Sequence, residues 1–270
     1  MESVIKRQII KYKGGSYEHV RDQIIVEEPL EIFFNLSKVP SLVTMRTPGM
    51  DIALTHGLLF TMGLIGPQSK LRFSSSSSDT IRVHCSGLRE ENISAALQNS
   101  SCGLCNRASW EEVSEHSIFP IYKKDIRFEA DVILNSPQLL NLSQGHFHKT
   151  GGNHKISLID LHGNLICEAE DVGRHNALDK VVGQCLSKSL LPLSEHIVIL
   201  SGRCSYEMCQ KTWLAGIPVI IALGAPTSKA IELAESAGIT LIGFTKSDRF
   251  NIYCHPERII YEKEGINHSD

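Results

Sequence analysis

Long apolar runs are missing from this chain. No stretch approaches the roughly 18 consecutive apolar residues of a membrane helix, and the opening MESVIKRQIIKYKGG is polar and charged where a secretory signal would carry an apolar centre. The expectation is a cytoplasmic protein with no membrane partner. An excess of positive charge is missing too: Lys and Arg number 27 against 30 Asp and Glu, for a formal net charge of -3. A nucleic acid held by bulk charge is therefore not expected, and an anionic ligand has to be met by a local pocket. Neither GxxxxGK[ST] nor GxGxxG occurs, which removes the P-loop and the dinucleotide fingerprint. The chain also lacks a second CxxC to accompany Cys102 and Cys105.

What is present is ordinary globular material. With 270 residues, 42% of them hydrophobic, the chain can bury a full core in one large domain or two unequal ones. Its eight cysteines, in a chain without export signals, read as thiols rather than a disulfide framework. Cys85, Cys167 and Cys185 lie in apolar or helical patterns and read as small core hydrophobes.

Two regions with different rhythms follow. In residues 1–144, DQIIVEEPLEIFFN is strand-like; MRTPGMDIALTHGLLFTMGLI gives a Pro-Gly turn, Asp51 at an N-cap position and a helical apolar stripe. The run Ser74 to Ser78 reads as a plain connector, and the CxxC segment as an exposed, mobile loop. In residues 145–270, KISLIDLHGNLICEAED reads as a hairpin turning at His162-Gly163-Asn164, followed by the helix ALDKVVGQCL. Then strand HIVILS, helix YEMCQKTWLA, strand IPVIIALG, helix SKAIELAESA and strand ITLIGF alternate. Apolar strands between amphipathic helices predict an α/β region with a parallel or mixed sheet covered on both faces.

In such a sheet, ligands gather beyond the carboxyl ends of the strands, where helix N-termini present free N–H groups. The unusual residues of this sequence fall there. AEDVGRHN (169–176) places Asp171, Gly173, Arg174 and His175 before one helix; SGRCS (201–205) places Ser201, Gly202, Arg203 and Ser205 before another; GAPTS (224–228) precedes a third. Two Gly-Arg pairs suit a phosphate or pyrophosphate, because Arg grips phosphate oxygens bidentately and Gly lets the backbone approach. A solvated or capping role is the alternative for either arginine alone. Upstream, Gly151 and Gly152, with Thr150, His148 and His154 around them, make either a simple turn or a polar edge suited to a ligand.

The CxxC by itself leaves metal ligation, disulfide cycling and sulfur carriage open. A structural zinc site wants four ligands, and Cys204 and Cys209, separated by four residues on a predicted helix, are a weak half-site. A thioredoxin-like pair usually follows an aromatic residue, whereas Asn99, Ser100 and Ser101 precede this one. What remains is an exposed thiol pair near Arg107, where a thiolate can be nucleophilic and reach into another protein's active site.

Eight strings in series, EEPLEIFFN, MRTPGMDIALTHGLLF, CGLCNRAS, TGGNHK, EDVGRHNALDKVVG, SGRCSYEM, APTSKAIELAESAGITLIGF and DRFNIYCHPERI, run from about residue 27 to 260. Together they resemble the FdhD/NarQ family of formate dehydrogenase accessory sulfurtransferases. The resemblance implies a carrier that takes persulfide sulfur from a cysteine desulfurase and passes it to bis-molybdopterin guanine dinucleotide, bound as substrate, before that cofactor enters formate dehydrogenase. It implies Cys102 as the persulfide carrier with Cys105 assisting, and cofactor contact along Phe244, Thr245, Lys246, Ser247, Asp248 and Arg249. Arg174, His175, Gly202 and Arg203, picked out above from the residues themselves, join that set as the paired anion sites two pyrophosphates require.

The implied fold is a cytidine deaminase-like mixed sheet flanked by helices, with a smaller N-terminal α+β region. Zinc hydrolysis is not expected, because His175 is followed by Asn-Ala rather than x-Glu and Cys204 lacks a partner three residues on. A homodimer is left open. The alternative function is a non-catalytic chaperone that binds the cofactor without moving sulfur.

Overall fold

The computed structural model describes residues 3–85, 119–121, 126–142 and 150–261. Cys102, Cys105, Arg107 and His148 lie outside the described residues.

The chain opens with a long hairpin, β1 (Val4–Lys13) and β2 (Ser16–Ile25). Its turn residues Gly14 and Gly15 both have positive φ, 58° and 87°. Two successive left-handed residues match the right-handed twist of the flanking strands, and glycine adopts them without a Cβ clash. Next come β3 (Glu28–Phe34), β4 (Leu42–Arg46), α1 (Asp51–Thr61), β5 (Arg72–Ser77) and β6 (Thr80–His84). These four strands form a sheet in the order β4-β3-β6-β5.

Two expectations about this region are corrected. Ser74 to Ser78 is not a connector: Ser74 and Ser77 pair with β6, with a register shift between them, and Ser75 Oγ donates to Thr80 O at 2.7 Å. Serines of low strand propensity are held by a partner strand whose Ile81 and Val83 are core residues. Asp51 is the first helical residue rather than the cap. The Pro-Gly turn carries Met50 into the left-handed region (φ 59°) as N-cap, and the Asp51 carboxylate instead accepts two bonds from Arg46, at 3.0 and 3.1 Å.

A short strand β7 (Phe128–Glu129) and α2 (Ala130–Leu142) lead into β8 (His154–Asp160), β9 (Leu165–Asp171), α3 (Arg174–Ser187), β10 (His196–Leu200), α4 (Tyr206–Leu214), β11 (Val219–Ala222), α5 (Ser228–Ala237), β12 (Thr240–Gly243), β13 (Asn251–Cys254) and β14 (Ile259–Ile260). The hairpin and the strand-helix alternation read from the sequence are all present. The six-stranded sheet has the order β13-β12-β11-β10-β8-β9. β10, β11 and β12 are mutually parallel, β8 is antiparallel to β10, and β9 is antiparallel to β8. Consequently β9, β10, β11 and β12 all end at the same edge.

Both faces of this sheet are buried, and alternate residues of one strand enter different cores. Val198 and Leu200 of β10 face a core shared with α1, α3, α4, α5 and the four-stranded sheet, whereas Ile197 and Ile199 face a second core closed by Val132, Ile133 and Leu140 of α2. Helices α1 and α3 meet backbone to backbone: a Cβ on Gly57 would lie 1.9 Å from Asp179 O, and one on Gly183 would lie 1.8 Å from Ala53 O. No helix among the described residues is long and apolar enough to cross a membrane.

Candidate functional site

The sheet directions bring four strand-to-helix or strand-to-strand loops to one edge: 172–173, 201–205, 223–227 and 244–250. The last three are tied to each other by main-chain bonds. Gly224 N donates to Gly202 O at 3.1 Å, Cys204 N to Ala225 O at 3.2 Å, Thr227 N to Cys204 O at 3.0 Å and Phe244 N to Gly224 O at 3.1 Å. Gly224 allows this close approach, since a Cβ there would stand 2.9 Å from Arg203 N and Gly202 C. Gly202 lies against His154, whose Nδ1 would be 3.3 Å from a Cβ. His154 is paired across the hairpin with Asp171 and senses the charge of Arg174. Gly202, Arg203, Arg174 and Phe244 are therefore brought to one edge, with His154 among them.

The turn after β9 is held by a buried ion pair. Asp171 and Lys180 are both fully buried, with Lys180 Nζ 2.7 Å from Asp171 Oδ2. Lys180 also donates to Thr47 O (2.9 Å) and Glu170 O (3.2 Å). Asp171 accepts from Gly173 N, Asn176 Nδ2 and Thr47 N. Saturated with partners, it positions the loop rather than offering itself to a ligand. Arg174 is different: its Nε is buried with no hydrogen-bond partner. Thr245 is almost fully buried, and its Oγ1 likewise has none. An unpaired buried donor costs about 1–3 kcal/mol, so such atoms mark places where a ligand atom or water belongs.

Burial, and then the Arg174 charge, hold His154 below its ordinary pKa of 6.5, against a smaller upward pull from Asp171. His175 is pushed the same way by burial and then by Lys211. Its Nε2 stands 3.0 Å from Glu207 Oε2, so at neutral pH the contact joins an uncharged ring to a carboxylate and steers α3 against α4 rather than neutralising an anion. Behind it, Lys211 bonds Asp179 at 2.7 and 2.8 Å and Thr61 Oγ1 at 2.9 Å.

The stretch 244–249 has two characters. Phe244 is half exposed and has φ 52°, a conformation unusual for a bulky residue and characteristic of functional sites. Lys246, Ser247, Asp248 and Arg249 are exposed, Lys246 N donates to Arg249 O at 2.8 Å, and Arg249 Nη1 lies 3.3 Å from Asp248 Oδ2. Cys204 and Cys209 are core side chains with no exposure, and the bond to Cys204, followed by burial, pushes the Cys209 thiol well above its ordinary value.

Sequence reasoning missed Thr47, Asn176, Lys180 and Glu207. A lysine inside the apolar stripe Ala177-Leu178-Val181-Val182 was the available signal, because a buried lysine requires a carboxylate partner.

An α/β protein with unpartnered buried donors at the carboxyl edge of a mixed sheet is the class these features define. The FdhD/NarQ family matches residues 25–260, and the chain belongs to that family. It is 42% identical to the sulfur carrier protein FdhD of Sulfolobus acidocaldarius, with 94% of this chain and 98% of that protein covered. It is 37% identical to the protein of the same name from Streptomyces coelicolor, with 94% and 95% covered. The crystal structure of a Desulfotalea psychrophila protein assigned as a formate dehydrogenase accessory protein superposes with a TM-score of 0.77 over 96% of this chain and 100% of that one, at 23% identity. That likeness shows the fold.

Proposed function

We propose that this protein is a cytoplasmic sulfurtransferase that accepts persulfide sulfur from a cysteine desulfurase on Cys102 and delivers it to bis-molybdopterin guanine dinucleotide, bound as substrate, in support of formate dehydrogenase. The observation that carries the binding half is the pair of unpartnered buried donors, Arg174 Nε and Thr245 Oγ1, at an edge where the half-exposed Phe244 ring offers a stacking face for a base. Arg203, Lys246 and Arg249 add cations for pyrophosphate oxygens. Gly202 lets the backbone approach, and His175 holds the start of α3.

The carrier half rests on the relatives' names and on the CxxC. A Cys102 thiolate attacks the outer sulfur of a donor persulfide, forming the Cys102 persulfide and releasing the donor thiolate. Attack by Cys105 on Cys102 then forms a disulfide and releases hydrosulfide for the substrate's metal, and a cellular dithiol reduces the disulfide. The hairpin-helix-strand-helix order of the six-stranded layer supports a deaminase-like reading of the fold.

The test is complementation of cells lacking the native gene. Cys102→Ala is expected to abolish formate dehydrogenase activation while the purified variant keeps its affinity for guanosine diphosphate, and Cys105→Ala to reduce activation. Mass spectrometry after incubation with a desulfurase and cysteine is expected to find added sulfur on the Cys102 peptide of the unaltered protein. Full activity of Cys102→Ala would instead make the protein a cofactor chaperone.

A further inference from the structure

The β1–β2 ribbon pairs with no strand of any other sheet among the described residues. Isolated two-stranded ribbons are marginal in water, yet this one leaves Ile10, Tyr12 and Tyr17 62%, 63% and 76% exposed. Its register sorts its side chains by face. Arg7 lies opposite Asp22 and Lys11 opposite Glu18, so one face matches each of these cations with a carboxylate. The other face pairs Lys6 with Gln23, Gln8 with Arg21, Ile10 with His19 and Tyr12 with Tyr17, and holds no acid. The two tyrosine rings on it are in contact, with centroids 5.0 Å apart.

The ribbon is rooted beside the candidate site. Val26 N donates to Ser3 O, Ser3 Oγ donates to Pro48 O, and Ile25 Cγ2 would lie 3.1 Å from a Cβ on Gly152, two residues before His154. The FdhD/NarQ match begins at residue 25, where the ribbon ends.

We infer that the acid-free face, Lys6, Ile10, Tyr12, Tyr17, His19 and Arg21, docks an acidic protein surface, that of the polypeptide receiving the sulfurated cofactor; this choice of partner rests on the function proposed above. The charge of the face selects an anionic partner. Its composition selects a protein: tyrosine and arginine around an apolar centre are what protein interfaces concentrate, whereas nucleic acid binding by charge draws on many more cations than Lys6 and Arg21.

The experiment measures binding of immobilised apo-formate dehydrogenase, from cells lacking this protein, to the Cys102→Ala protein, so that docking is read without sulfur transfer. Lys6→Glu/Arg21→Glu is expected to weaken binding about tenfold or more, with a steep salt dependence in the parent. Arg7→Glu/Lys11→Glu makes the same charge change on the opposite face and is expected to have little effect. Tyr12→Ser/Tyr17→Ser keeps the charge and is expected to weaken binding as well, with far-ultraviolet circular dichroism confirming the fold of each variant.

Equal loss in both charge variants, or none in either, overturns the assignment. So does a ribbon variant that changes the sedimentation of the protein alone and not enzyme binding, since the occupant is then a second copy, or a parent that binds RNA and not the enzyme. Failure of the Cys102→Ala parent to bind the enzyme, with persulfide formation intact on Cys102 of the unaltered protein, breaks this inference alone; docking without persulfide formation in the unaltered protein breaks the sulfur-carrier reading alone.

Discussion

Strand β10 buries every residue except the half-buried His196, while β1, twice as long, leaves eight of its ten residues exposed. The two strands are held by different physics. β10 lies between two cores, and its ends cannot move without disturbing both; β1 has one ladder and a glycine turn. The consequence is a division of labour. Loops at the end of β10 and its parallel neighbours are fixed closely enough for two unpartnered donors to stay buried, whereas the ribbon keeps its surface available.

The comparison breaks most directly where the body is packed most tightly. Gly183→Ala puts a Cβ against Ala53 O, a backbone atom with no room to yield, and is expected to destabilise by more than the about 3 kcal/mol of ordinary overpacking; urea denaturation measures it. Lys180→Met leaves Asp171 buried and unpaired and is expected to cost about 3 kcal/mol, with Asp171→Ala similar; the same titration checks both.

Arg174→Ala sharpens the contrast between fold and site. It is expected to weaken guanosine diphosphate binding by about 1.5–3 kcal/mol, read by calorimetry, with a much smaller change in stability. In the ribbon, Tyr17→Ala removes one cross-strand pair and is expected to cost under about 1 kcal/mol, seen as faster amide exchange in β1 with little shift of the global transition.

Acid should act on the body through its histidines. His56, His154, His175 and His196 all sit below the ordinary 6.5, each chiefly because burial disfavours the charged ring. The unfolded chain therefore takes up protons first as pH falls through 6.5. The stability these rings contribute is fully present above that pH, declines below it, and stops declining once the folded rings protonate. The melting temperature is expected to drop from pH 7.5 to about 5.5, and replacing His154 by Gln to flatten part of that slope.

Much of the C-terminal layer was legible because its strands and helices carry local signals: HIVILS and IPVIIALG as apolar runs, SKAIELAESA with Thr227 as cap and Gly238 as stop. The Gly-Arg loops were legible as strand-to-helix junctions because a helical pattern follows an apolar strand directly in each. Asp171 was legible only as a turn residue, because its partner Lys180 lies nine residues along the chain and meets it through the fold. The serine run misled for the opposite reason: nothing local made it a strand, and pairing with β6 did.

By itself, the sequence determined the alternation of elements, the motifs that carry the family resemblance, and the residue types gathered at strand ends, because helix periodicity, capping and turn chemistry act over a few neighbours. Only the tertiary structure decided that β9 runs with β10, β11 and β12, that Arg174 Nε and Thr245 Oγ1 are left without partners, and that one ribbon face is free of acid. Those outcomes depend on pairing register and on burial by residues distant in the chain. Their energies appear only when separate segments exclude water from the same place.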